Sequence, residues 1–516
     1  MHVIPEFNSP VSFLRYRACW VVEYLDHDEW KLPDTVQVLL QGLLQGLRDP
    51  SVPVQAAAAC SMRQLINTEG AVDLLRPHLQ EIVSEYFRIM NEVENEAILG
   101  ALQALVESFG DEIDPIAGMM VSHLVNTFEG FAAAGGDDDE AAFNATQCLD
   151  TIVCIIEAVE GREQTTKQIE AIILPLLFKT INSGENCFEY LDNALQILNM
   201  LLYSDAPISP GLYSICGPLL GALDAFAVDY ICDIMVPLLH FMTKDMSSFL
   251  QGVHESTPFA SILLNVVQRL FVEDISNYEL DCRAAATLLT CFIVNSKPLM
   301  AISSQIGDVL RLILTRLEIT KTTSMRHKLL DSIMAIIYYD SSLFISIIAS
   351  NAAAGDMLFK TLFGNVKEME KTLSQRLIVL SFSSLLALDP VHLSEYVKSN
   401  LPTMFQQIIR ELTLLKAEEV ERAKKESDNE DEDDIDIDDD DYGDDEDNNN
   451  GHSNNLAKFG RYTIPANGYD EDEDCINAED EEYLQYIREH KVCPFLLFNF
   501  SFDYSYLLTG NKFRFN

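Results

Sequence analysis

Apolar stripes at helical spacing, returning about every forty residues, are the feature that most limits what this 516-residue chain can fold into. Between residues 33 and 48, Val36, Leu39, Leu40, Leu43, Leu44 and Leu47 fall at steps of three and four, which lines one side of a helix with apolar groups. Pro33 suits that helix's first turn. After a break at Asp49-Pro50, Val54, the run from Ala56 to Ala59, Met62, Leu65 and Ile66 define a second helix whose small residues let a neighbour approach closely. Leu74, Leu75, Leu79, Ile82, Val83, Tyr86, Phe87 and Met90 then repeat the stripe. Such stretches continue to about residue 414, with Ala18, Ala58 and Ala97 in successive first helices and Pro33, Leu74 and Pro115 near the starts of their partners.

A two-helix unit of roughly forty residues is the signature of a HEAT repeat. One helix pair cannot bury its own stripe, so such pairs must stack on one another. The chain is also too long for one compact core, and its 23 Gly and 18 Pro are too few for a turn-rich β fold. The spacing therefore predicts an all-α HEAT-repeat superhelix, a solenoid, over residues 1–414, with nine or ten pairs between residues 10 and 414. Its Leu and Met residues are expected to be core and its surface able to wrap a partner.

The net charge of −46 sets the class of that partner. Nucleic acid and anionic membrane both require a positive surface, so neither direct nucleic-acid binding nor membrane insertion is expected, and a basic protein is. From Asp428 to Glu482 there are 24 acidic and 2 basic residues, a net −22, and the remainder still carries −24. Fifteen of these carboxylates lie between Ser427 and Asp447: Asp428, Glu430, Asp431, Glu432, Asp433, Asp434, Asp436, Asp438, Asp439, Asp440, Asp441, Asp444, Asp445, Glu446 and Asp447. Self-repulsion and lack of apolar groups predict a disordered acidic segment over 415–482. Its field would concentrate polycations and speed their capture, which makes the fifteen carboxylates the candidate cargo-binding residues. A shorter acidic stretch, Gly135 to Glu140, reads as a loop whose acids suit the N-terminus of the next helix. Residues 483–516 form an atypical tail with Phe495, Phe498, Phe500, Phe502, Tyr504, Tyr506, Phe513 and Phe515, and read as a product of gene modelling.

Signals for chemistry are sparse. There is no Gly-rich phosphate loop, His-Glu-x-x-His helix, nucleophile elbow or calcium-loop pattern, so no catalytic residue, cofactor or metal site is expected and the chain is not read as an enzyme. The eleven cysteines lack any Cys-x-x-Cys pair and read as reduced thiols of an intracellular protein. Asn144-Ala145-Thr146 matches a glycosylation acceptor but sits in a helical stretch, where chance explains it.

Several segments in order resemble a known family: Arg17-Ala18-Cys19-Trp20, Arg48-Asp49-Pro50 with Pro53-Val54, Met90 to Glu96, and Phe109-Gly110-Asp111-Glu112-Ile113-Asp114-Pro115. Pro237-Leu238-Leu239-His240, Tyr338-Tyr339 and the position of the acidic run extend the likeness. The chain resembles the C-terminal part of importin-β (karyopherin) receptors of the importin-seven and importin-eight subgroup, over approximately residues 5 to 482. The resemblance implies a nuclear import receptor that carries basic cargo such as ribosomal proteins and histones. It further implies contact with phenylalanine-glycine repeats of pore proteins, release of cargo by the GTP form of Ran in the full-length receptor, and movement between cytoplasm and nucleus through the nuclear envelope. The alternative is a passive HEAT scaffold or an acidic chaperone that shields histones or ribosomal proteins.

Overall fold

The computed structural model describes residues 3–24, 33–66, 71–90, 92–93, 96–134, 139–203, 207–272 and 279–430. They fall into two units, Met1–Ala227 and Val228–Asn516. In the first unit α1 (Ser12–Glu23), α2 (Pro33–Leu47), α3 (Val52–Ile66), α4 (Ala71–Leu75), α5 (Leu79–Met90) and α6 (Glu96–Phe109) are followed by α7 (Asp114–Ala134), α8 (Asp139–Ala158), α9 (Glu163–Ile181), α10 (Leu191–Tyr203), α11 (Pro210–Tyr213) and α12 (Cys216–Ala225). Helices α1, α3, α6, α8 and α10 pack each on the next as one row, and α2, α5, α7, α9 and α12 form a second.

The second unit repeats the scheme with α13 (Ile231–Lys244), α14 (Met246–Gln251), α15 (Phe259–Val272), α16 (Glu279–Ser296), α17 (Ile306–Ile319), α18 (Thr323–Tyr339), α19 (Ser341–Ala349), α20 (Ala352–Asn365), α21 (Thr372–Leu386) and α22 (Glu395–Glu430). Here α13, α16, α18 and α21 make the first row, while α15 packs on α17 and α20 on α22. The described residues thus hold nine helix pairs of the HEAT type, as the spacing predicted. A short hairpin, Val253–His254 paired with Thr257–Pro258, stands between α14 and α15.

Inner first-row helices such as α16 are buried on most sides because a row neighbour covers each side and the second row a third. In α16, 14 of 18 residues are buried, and in α18, 11 of 17. Close approach is enforced where side chains vanish: a Cβ on Gly46 of α2 would stand 2.8 Å from the Cβ of Ala58 in α3. Hydrogen bonds between equivalent helices measure the repeat directly. Ser61 Oγ donates to the Cys19 carbonyl at 2.7 Å, 42 residues back. Asn193 Nδ2 donates to Asp150 Oδ1 at 2.7 Å, 43 back, and Ser374 Oγ to Asp331 Oδ2 at 3.1 Å, again 43 back.

That longer period corrects two details of the sequence reading. Ala18 and Ala58 are buried as expected, but Ala97 is exposed and Ala101 takes the buried small-residue position. The stripe from Leu74 to Met90 is also not one helix. Pro77 lacks the N–H a continuous helix needs there, so α4 and α5 are joined by a 3₁₀ turn at Arg76–His78.

The helical part likewise does not stop at residue 414. Helix α22 continues to Glu430, because residues 415–426 are rich in Ala, Glu, Lys and Arg, all strong helix formers. The remainder of the segment expected to be disordered, and the whole aromatic tail 483–516, lie outside the described residues.

Candidate interaction surfaces

The resemblance motif around Asp49 proves to be a joint between repeats. Arg15 reaches from α1 to the α2–α3 turn, where its Nε and Nη2 donate to Asp49 Oδ2 and Oδ1 at 2.5 and 2.9 Å. The Arg15 side-chain bond holds the Asp49 carboxyl below its ordinary range. Arg88 of α5 adds a second tie, donating from Nη2 to the Leu47 carbonyl at 2.9 Å and from Nη1 to Gln55 Oε1 at 3.3 Å. Arg17 lies over the Trp20 ring at 4.6 Å.

Pro237 to His240 are all buried within α13. Burial, with Lys244 nearby, lowers the His240 pKa to about 3, so the ring is neutral, and neither of its nitrogens has a hydrogen-bond partner. Tyr339 is equally internal, its hydroxyl accepting from the Ile302 N–H at 3.1 Å. Asn144 of the glycosylation match is 2% exposed inside α8, which closes it to an enzyme.

Of the fifteen carboxylates proposed for cargo, Asp428 and Glu430 fall on the last turn of α22. The other thirteen, Asp431 to Asp447, lie outside the described residues. Thr372 Oγ1 donates to Glu418 Oε1 at 2.8 Å, which fixes α22 alongside the start of α21. The Gly135–Glu140 stretch is described only from Asp139, where α8 begins.

The charge is not evenly spread along the sequence. Residues 1–227 contain 33 acidic and 10 basic side chains, a net −23, whereas residues 228–430 contain 24 and 19, a net −5. On the first row of the first unit, Glu107 of α6 and Asp150 and Glu157 of α8 gather around Cys154, with Glu160, just past the end of α8, acting on Glu157. Burial first, then Glu157, Glu107 and Asp150, push the Cys154 thiol up to about 12. Glu157 is pushed up to about 6, chiefly by burial and then by Glu160 and Glu107. Carboxylates that raise one another's pKa gain most from a cation placed among them. Sequence reading missed this group, although Glu107, Asp150 and Asn193 stand 43 residues apart, the true repeat length.

Among the described residues no cluster of His, Cys, Asp or Glu could hold a metal ion, and no single helix is long and apolar enough to cross a membrane.

Stacked helix pairs in two rows define a helical-repeat protein. Residues 64–442 match the family described as CAS/CSE protein, C-terminus, and the chain belongs to that family, in the C-terminal part of the importin-β receptors. It is 27% identical over 440 residues to the importin beta-like SAD2 homolog of Arabidopsis thaliana, covering 82% of this chain and 42% of the relative. It is 26% identical to the probable importin-7 homolog of Dictyostelium discoideum, covering 83% and 40%, and 27% identical to human importin-8, covering 66% and 32%. The chain thus spans less than half the length of these curated relatives. In fold it resembles the exportin Cse1 in its cargo-free, cytoplasmic state, with a TM-score of 0.54 at 14% identity over 80% of this chain and 42% of that one.

Proposed function

We propose that this protein is the cargo-gripping part of a nuclear import receptor, a non-catalytic carrier of lysine- and arginine-rich proteins such as ribosomal proteins and histones. In the full-length receptor Ran would release the cargo, and phenylalanine-glycine repeats of pore proteins would be met in transit between cytoplasm and nucleus. The observation that carries this reading is the net −23 on the first unit, with the Glu107, Asp150 and Glu157 group on its first row. The membership of an importin family argues for a carrier over a passive scaffold.

Opposite charge across an interface acts mainly on the association rate and fades with salt. The expected result for Glu107→Gln, Asp150→Asn and Glu157→Gln combined is association with a histone tail slowed about tenfold at low salt. The dissociation rate should change less. Stopped-flow measurement over a salt series checks it. Unchanged association at low salt would remove this face from cargo recognition, and a parallel variant with the Asp428–Asp447 carboxylates neutralised separates the contribution of the acidic run.

A further inference from the structure

A serine or threonine followed by proline occurs three times in the sequence, at Ser9-Pro10, Ser209-Pro210 and Thr257-Pro258, and the fold treats the three hydroxyls differently. The Ser9 carbonyl is held by Arg15 Nη1 at 2.9 Å, the same Arg15 that grips Asp49, and its Oγ accepts from the Val11 N–H at 3.4 Å. Ser209 caps the start of α11, where its Oγ accepts from the Leu212 N–H at 3.1 Å and donates to Glu170 Oε1. Thr257 has no such duty. Its hydroxyl makes no hydrogen bond among the described residues, and residues 255–258 are all exposed.

Thr257 stands on the hairpin between α14 and α15, whose base is fixed and whose tip is not. At the base the Phe259 N–H donates to the Gly252 carbonyl at 3.0 Å, and the Phe259 ring packs on Phe249 of α14 with centroids 5.7 Å apart. A Cβ on Gly252 would stand 2.2 Å from that ring, so the contact needs glycine. At the tip Glu255 and Ser256 sit at φ 46° and 74°, where a side chain is strained. A ladder of two residue pairs does little to hold such a turn closed. Thr257 can therefore leave the ladder while the base stays anchored.

Pro258 gives the segment two further properties: it offers no N–H, and it keeps Thr257 extended, the form in which a kinase groove takes its substrate. A phosphoryl group on Thr257 would stand opposite His254, its cross-strand partner, and just ahead of α15, whose first turn has no acidic residue. The added charge would meet an imidazole donor and the positive end of a helix dipole.

We propose that Thr257 is a phosphorylation site for a proline-directed serine/threonine kinase. The γ-phosphoryl of MgATP passes to Thr257 Oγ1, an aspartate of the kinase takes the hydroxyl proton, and ADP leaves. The site is independent of the cargo reading.

The test incubates the full chain with MgATP and a purified proline-directed kinase that phosphorylates a synthetic peptide of the Thr257 sequence, and maps the products by mass spectrometry. Each rate is divided by that of a peptide carrying the same motif. On this scale Thr257 should react about tenfold faster than Ser9 or Ser209, because only its segment opens readily. No phosphate on Thr257, or equal scaled rates at the three sites, would overturn the proposal. Ser256→Gly relieves the turn and should slow Thr257 about threefold by holding the hairpin shut, with Ser9 and Ser209 unchanged. A Thr257 rate that Ser256→Gly leaves unchanged or raises overturns hairpin opening as the route to the acceptor.

Discussion

The two units use one repeat for different ends. In the first, which carries −23, part of the polar register reaches the surface, with Glu107 exposed and Asp150 half-exposed, while Ser61 stays buried as a tie to the Cys19 carbonyl. In the second, the same row consumes its polar groups inside. Thr290 and Ser332 share a hydrogen bond of 2.8 Å, buried and 42 residues apart, and fully buried Asp331 accepts from Ser374. A HEAT repeat therefore fixes where apolar side chains go and leaves the polar register free, either to bind a partner or to lock a neighbouring repeat.

The sharpest way to test this contrast is to overfill the apolar stacking of the first unit. Ala58 is fully buried with Gly46 against it, so Ala58→Leu should destabilise the first unit by about 2–3 kcal/mol. Urea unfolding followed by hydrogen exchange should show faster exchange in α1 to α3 with α16 to α21 unchanged. Uniform loosening of both units would mean that they do not stack by separate means.

A smaller effect, of opposite sign, is expected in the second unit. Burial pushes the Asp331 carboxyl up to about 6, against the pull of Lys328, Ser374 and Lys371. A carboxyl whose folded pKa is raised adds stability when protonated and loses it as pH climbs from about 4 through about 6. Asp331→Asn should therefore stabilise the protein at pH 7 by roughly 1–2 kcal/mol and flatten the rise in stability on going from pH 7 to about pH 5. Neutral His240 acts the other way over that range, and comparing the variant with the unaltered chain cancels it. Equal pH profiles would show that Asp331 is not the buried charge the ladder contains.

The smallest effect concerns the hairpin of the second unit, whose two-residue turn places Glu255 and Ser256 at φ 46° and 74°. Side chains with a Cβ are strained there. Ser256→Gly should raise stability by about 0.5–1 kcal/mol, read from the denaturation midpoint. A loss would mean that the Ser256 side chain stabilises the turn by more than its strain costs.

Much of the fold was legible because apolar spacing is a local property. The α2 stripe, the α3 run of small residues and the breaks at Asp49-Pro50 and Pro115 read directly as helices and their limits. The candidate site was only partly legible. The acidic run is a compositional feature and stands out at once, but the Glu107, Asp150 and Glu157 group is scattered along two helices and becomes a group only when α6 packs on α8.

By itself, then, the sequence determined the helical class, the pair as the unit of stacking and the acidic character, since each follows from residue type and spacing along the chain. Tertiary structure decided the 42- to 43-residue register, the extension of α22 to Glu430, and which polar residues face outward. It also brought Lys328 and Lys371 within reach of the same buried carboxyl, that of Asp331. The physical reason is that those outcomes depend on which repeats touch, and two positions one repeat apart acquire a common environment only after the helices between them have folded.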